Sequence, residues 1–376
     1  MSHDTLEFQP FRLRLARHFW GTTLQELADT LSCTRQHVSQ METGTPRLKP
    51  EDDVVQALAA ALKVAPGFFF HRGRAPLAEE QAHFRKLAST KVSMRQKVLA
   101  RGTVFGELVD FLETKLRLPT LDLPDFSGAH AAEEIERVAE RARQHWGLGW
   151  GPIDNMIRVV ERAGVVVAFF HDASREVDAL SISARRPIIV RNDLKASPFR
   201  QRFDIAHELG HLLMHEGHVT GDRQSESEAN RFASAFLLPR STFLKAFPRR
   251  GSRLDWAGLS ELKMQFQASK AAILYRARSL GVLDEQQYRG AIITLKNRGE
   301  AITEAEDARC APEEGEVLPN ALAVLARRFG LNRAALAQTL HLSPALLAEV
   351  LPPLADEPPV PRPRPHLRLV AGVAES

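Results

Sequence analysis

Apolar residues recur at helical spacing along most of this chain and at strand spacing in few places. Near the amino terminus, Thr23 and Glu26 form a capping box that opens a short helix over 24–31. A Ser32-Cys33 turn leads into a second short helix over 34–42, stopped at Thr43-Gly44, with Val38 and Met41 on its inner face. The segment 92–116 reads as a longer helix with Val98, Phe105, Leu108, Val109 and Leu112 apolar. A helix ending at Gly164 precedes strands predicted over 165–170 and 187–190. Ser197-Pro198 is a helix-start pair, with serine as N-cap and proline where its missing N–H costs nothing. From there Phe199, Phe203, Ala206, Gly210 and Leu213 recur at helical spacing, Ile205, Leu209 and Leu212 widen the stripe, and Gly217 is the expected stop. The next helix, over 225–238, puts Glu226, Ala229, Asn230, Ala233 and Leu237 on one face. Past Gly281 the pattern weakens to two or three small helices over 318–351, which read as a packing module. The pattern predicts an α+β chain that is mostly helical.

Composition narrows the setting. The chain has 376 residues, 26% charged and 44% hydrophobic, with a net charge of +4, which is ordinary for a soluble protein of two or three domains. No apolar run approaches the length of a membrane span and no secretion signal is visible, so no membrane association and a cytoplasmic location are expected. Cys33 and Cys310 are far apart with no CxxC pair, so any metal site must be built from His and Glu. Between 72 and 118, ten basic residues face five acidic ones. That stretch could supplement nucleic-acid binding, pack as a dimer helix, or be a solvated linker.

Candidate chemistry concentrates in His207-Glu208-Leu209-Gly210-His211. On a helix, positions i and i+4 share a face, so both imidazoles can reach one ion, and the glutamate between them can act as base toward a bound water. A catalytic zinc needs a third protein ligand and an open position. His215 would lie ~12 Å up a continuing helix axis from His207, too far to share the ion. His218 has the wrong spacing for HExxHxxGxxH, which wants glycine at 214 and histidine at 217, where this chain has Met214 and Gly217. Glu226 on the following helix is the better ligand, with Asn230 one turn on as hydrogen-bond partner of a ligating histidine. Glu228 points about 200° from Glu226 on that helix and reads as solvated or salt-bridged, with replacement of Glu226 as its alternative. Tyr275 and Arg276 are candidates for stabilising an oxyanion, or ordinary helix residues.

HELGHLLMH followed by ESEANRFASAFLLP resembles the ImmA/IrrE family of zinc metallopeptidases, over about residues 120–280. LQELADTLSCTRQHVSQMETG, with LKPEDDVVQALAAALKVAPGFFF after it, resembles the XRE helix-turn-helix over about 8–71. The combined resemblance implies an N-terminal all-α helix-turn-helix domain (8–72) and a basic helical linker (73–119). A central zincin-like domain with a small β-sheet and the HExxH helix (120–280) follows, then a small C-terminal helical region (281–351) and a proline-rich disordered tail (352–376). Arg35, Gln36, Ser39 and Gln40 face outward on the second short helix, and Arg and Gln read guanine and adenine edges in the major groove. The resemblance implies base contacts from Arg35, Gln36 and Gln40 and a phosphate contact from Arg47. Acids balance bases in the first 71 residues, so a homodimer on double-stranded DNA is expected. The resemblance further implies Zn²⁺, or Mn²⁺ or another divalent ion, held by His207, His211 and Glu226, with Glu208 as catalytic base. The implied function is a DNA-binding regulator whose peptidase cleaves a partner repressor in a stress response. The alternative is a transcription factor whose peptidase-like domain is a non-proteolytic sensor or dimerisation module.

Overall fold

Four helices begin the chain: α1 (Pro10–Trp20), α2 (Leu24–Thr30), α3 (Arg35–Thr43) and α4 (Asp52–Ala61). The computed structural model describes residues 7–44, 50–84, 91–169, 179–191, 197–218, 220–250, 253–351 and 368–369. The capping box forms as the sequence predicts: Thr23 Oγ1 accepts from Glu26 N–H, and the Glu26 carboxylate accepts from Thr23 N–H. Thr34 caps α3 by accepting from His37 N–H, and Val38 and Met41 turn inward, fully buried. Across this unit, Arg17 of α1 makes a two-pronged pair with the buried Glu42 of α3.

Strand β1 (Ala82–Phe84) and helix α5 (Val92–Lys115) follow. Every residue of α5 from 98 to 109 is buried, so this part of the basic segment packs on all sides, while Val92 at the start of the helix is exposed. Two of its buried charges are paired: Arg101 with Glu349 and Glu107 with Arg12. Strand β2 (Leu116–Arg117) pairs antiparallel with β8 (Arg368–Leu369). Two residues of the tail predicted to be disordered are therefore strand, while 352–367 and 370–376 lie outside the described residues.

After α6 (Ala132–His145) and α7 (Met156–Arg162) come β3 (Val166–Phe169), β4 (Ala179–Ile182) and β5 (Ile188–Arg191). The sheet runs β1-β4-β5-β3, with β3 and β5 parallel and the other pairs antiparallel. Because side chains alternate along a strand, this sheet is a wall with a core on each side. Val166, Ala168, Leu180, Ile182, Ile188 and Val190 join the core of the amino-terminal helices and α5. Val165, Val167 and Ile189 join the second core.

That second core is built from α6, α7, α8 (Pro198–Met214), α9 (Arg223–Leu237), α10 (Arg240–Ala246), α11 (Trp256–Phe266), α12 (Lys270–Ser279) and α13 (Glu285–Asn297). A two-stranded ribbon, β6 (Arg249–Arg250) with β7 (Arg253–Leu254), lies between α10 and α11. The buried Arg143 of α6 donates to the carbonyls of Gly149, Gly151 and Phe236 and so fixes the loop before α7. The last helices, α14 (Val317–Phe329), α15 (Arg333–Thr339) and α16 (Pro344–Val350), return to the first core. There Ser343 Oγ donates to the Lys63 carbonyl beside the helix-turn-helix unit. Among the described residues, no helix is long and apolar enough to cross a membrane.

Candidate metal centre

Helix α8 is buried along nearly its whole length. Pro198 occupies its first turn as predicted, but Ser197 makes no side-chain cap bond. The helix also ends at Met214, ahead of Gly217. Helix α9 is capped by Asp222, whose carboxylate accepts from Gln224 and Ser225 N–H. The two helices pack closely because Gly210 has no side chain. A Cβ there would sit 2.9 Å from Phe232 Cδ1. Ala229 and Ala233, both fully buried, complete the close face.

This approach brings Glu226 to the two motif histidines. Its carboxylate oxygens lie 3.3 Å from His207 Nε2 and 3.3 Å from His211 Nε2, and the two Nε2 atoms are 3.0 Å apart. Among the described residues, these three side chains form the group able to hold a metal ion. The spacing fits: a tetrahedral ion with bonds of about 2.0–2.1 Å separates its ligand atoms by about 3.3 Å.

The outer hydrogen bonds present the right nitrogens. His207 Nδ1 donates to Asn230 Oδ1 at 3.1 Å, which leaves Nε2 as the lone-pair nitrogen. For His211 the partner is one that the sequence did not disclose. His215 Nε2 donates to Glu228 Oε2 at 2.8 Å, so its Nδ1 accepts, and His211 Nδ1 donates to it at 2.8 Å. Glu228 is buried and also receives His130 and Gln224. Glu228 is thus hydrogen-bonded to its neighbours and not solvated. Burial pushes His211 down to about 3 and lowers His215, so both imidazoles stay neutral near pH 7. Burial opposes ionisation of Glu226, but the closeness of His207 and His211 brings it down to about 2.

Glu208 is buried on the sheet side of α8 and accepts from Ser181 Oγ of β4 at 2.8 Å. Alternation explains the serine: Leu180 and Ile182 face the first core, so Ser181 faces α8. Beside it, His83 of β1 stacks on the His211 ring with centroids 5.3 Å apart. Of the candidates for oxyanion stabilisation, Arg276 is committed elsewhere. Arg276 is fully buried, pairs with Glu136 and donates to the Leu238 carbonyl. Tyr275 lies in the field of Arg231 and Arg278, and burial raises its pKa.

In the amino-terminal unit, Arg35 and Gln36 are exposed at the start of α3, and Ser39 and Gln40 are half-buried. Arg35 borders a hollow shared with Thr23, Gln25 and, from α5, Ser93 and Gln96. Arg47 lies outside the described residues.

The two candidate outer carboxylates can be separated by metal affinity. Loss of an outer partner typically costs about 10–100-fold, and loss of a ligand costs more. Glu226→Ala is expected to exceed that range in a competitive zinc titration, and Glu228→Ala to fall within it. Equal losses would move Glu228 into the ligand set.

Residues 160–278 match the family model of the IrrE N-terminal-like domain of Peptidase M78, and residues 21–69 match that of a helix-turn-helix domain. No curated protein matches the chain. The first match contains α8 and α9 with all of His207, Glu208, His211 and Glu226, and the second contains α2 and α3. The chain is thus a fusion of an XRE-type helix-turn-helix domain with an ImmA/IrrE-like domain of the Peptidase M78 family.

Proposed function

We propose that this chain is a DNA-bound regulator whose peptidase domain, over 120–280, cuts a partner repressor under stress. The observation that carries the reading is the convergence of His207, His211 and Glu226 at tetrahedral spacing with Glu208 buried beside them. These three residues would hold Zn²⁺, and the same donor set accepts Mn²⁺ or another divalent ion. When bound, the ion supplies Lewis-acid chemistry, making water acidic and polarising the scissile carbonyl. Glu208 takes the proton of the attacking water and passes it to the departing amine as the C–N bond breaks. Ser181 fixes the Glu208 carboxylate through Oε2, and Asn230 and His215 fix the histidine rings.

Helix α3 is the DNA-reading element, with Arg35, Gln36, Ser39 and Gln40 toward the major groove and Arg47 toward phosphate. The near balance of charge over the first 71 residues favours a homodimer on double-stranded DNA. A second reading, a non-proteolytic sensor in a cytoplasmic transcription factor, draws on one observation: His83 covers the His211 ring.

The test is incubation of the zinc-loaded full chain with a candidate repressor and its operator, followed by mass spectrometry of fragments. A discrete cut that a chelator abolishes and zinc restores is expected. An intact repressor, with zinc bound and operator occupied, would remove the proteolytic half of the proposal.

A further inference from the structure

An extended polypeptide docks on a sheet by pairing with an open edge, where main-chain groups lack partners. In this sheet, the strand that holds the Glu208 carboxylate is β4, through Ser181. One side of β4 is taken by β5. The other side is where a polypeptide would have to pair to lie beside Glu208, and a piece of the chain itself is there. Strand β1 runs antiparallel to β4, with Ala82 opposite Ile182, His83 opposite Ser181 and Phe84 opposite Leu180.

The register places His83 opposite the residue that holds Glu208. Its ring stacks on His211 with the planes 4° apart and is held by Thr220 Oγ1 at 3.0 Å and Ser183 Oγ at 3.1 Å. His83 is fully buried. The strand nevertheless has only three residues, and short outer elements open locally more readily than a sheet's centre. The segment just before it is tied to α5, since Leu77 N–H donates to Thr103 Oγ1.

We propose that Ala82–Phe84 is an internal occupant of the substrate's place. The partner that fits the β4 edge is an extended polypeptide running antiparallel to Ala179–Ile182, and β1 must leave that edge before such a polypeptide reaches Glu208. The word substrate rests on the peptidase reading. The strand exchange itself does not, and it can be measured without any cleavage.

The experiment uses the full chain and two readouts. The first is the affinity of the zinc-loaded protein for a short peptidyl hydroxamate, compared among wild type, His83→Ala and His83→Pro. The alanine variant removes the stack and both side-chain hydrogen bonds, and the proline variant also removes a ladder N–H. Each is expected to bind the hydroxamate at least about tenfold more tightly, the equivalent of one lost competing interaction of ordinary size. The second readout is amide hydrogen exchange on metal-free wild type. Amides of Ala82–Phe84 are expected to exchange at least about a hundredfold faster than those of Ile188–Arg191, because local opening spans a wide range of free energies within one fold. Equal hydroxamate affinities at matched zinc content, or equal protection of the two strands, would overturn the proposal. Fast exchange of β1 in a chain that neither binds zinc nor cuts would remove the peptidase reading and leave strand exchange standing.

Discussion

Glu208→Gln is expected to retain its zinc and lose cleavage of the partner repressor by at least about a thousandfold, within the range general acid–base groups contribute. That is about 4 kcal/mol of barrier at 1.36 kcal/mol per decade. The substitution suits the question because glutamine keeps the length of the side chain and an oxygen able to accept from Ser181 Oγ. The His207, His211 and Glu226 triangle does not involve Glu208, so metal content should not change. What the amide lacks is the ability to carry a proton from water to the leaving amine. Zinc stoichiometry and single-turnover cleavage, measured on the same preparation, separate the possibilities. If the variant holds zinc and still delivers full regulatory output, the domain acts as a sensor and the proteolytic reading falls.

The parts of this site visible in the sequence were those encoded within a few residues. The i, i+4 histidines, the capping box at Thr23 and the small face of α9 are local patterns with a fixed period, and each formed where predicted. Strands β1 and β4 were not foreseen, and with them went Ser181 and His83. A strand of three or four residues spans too few alternations to stand out from background. The Leu180-Ser181-Ile182 alternation was the one available signal. A helix running on through His215 would carry it out of reach of the ion. The helix ends at Met214, and the freed residue hydrogen-bonds His211. Helical geometry did place Glu228 away from Glu226, but it could not show that a histidine would be waiting there. Helix α5 is hard to read for a different reason. Its buried middle includes charged residues whose partners lie far off in sequence, so a helix packed on all sides there has the composition of a solvated one.

Removing one of those partners should be costly. Arg12 of α1 is fully buried: its Nη1 donates to Glu107 Oε1 of α5 at 2.5 Å, its Nε donates to the Phe68 carbonyl, and its guanidinium lies 3.8 Å above the Phe68 ring. Burial lowers the Arg12 pKa and Glu107 pulls it back. Gly73 closes over the pair with φ of +51°, and a Cβ there would come within 2.2 Å of Glu107 Oε1. Glu107→Ala strands the cation away from water and from its counter-ion, a change that typically costs 3–5 kcal/mol, or about that here. Urea unfolding of the full chain should register that loss. The double variant Arg12→Met with Glu107→Met should recover most of it, because an apolar pair of similar volume needs no desolvation. A loss below about 1 kcal/mol from Glu107→Ala, the size expected of an exposed pair, would mean that water reaches the guanidinium and that α5 is not locked to α1. The outcome matters beyond stability, because the same helix carries Thr103, the anchor of the segment that leads to β1. If α1 and α5 move as one body, a change imposed on the helix-turn-helix unit reaches the strand beside Glu208 through two hydrogen-bonded steps.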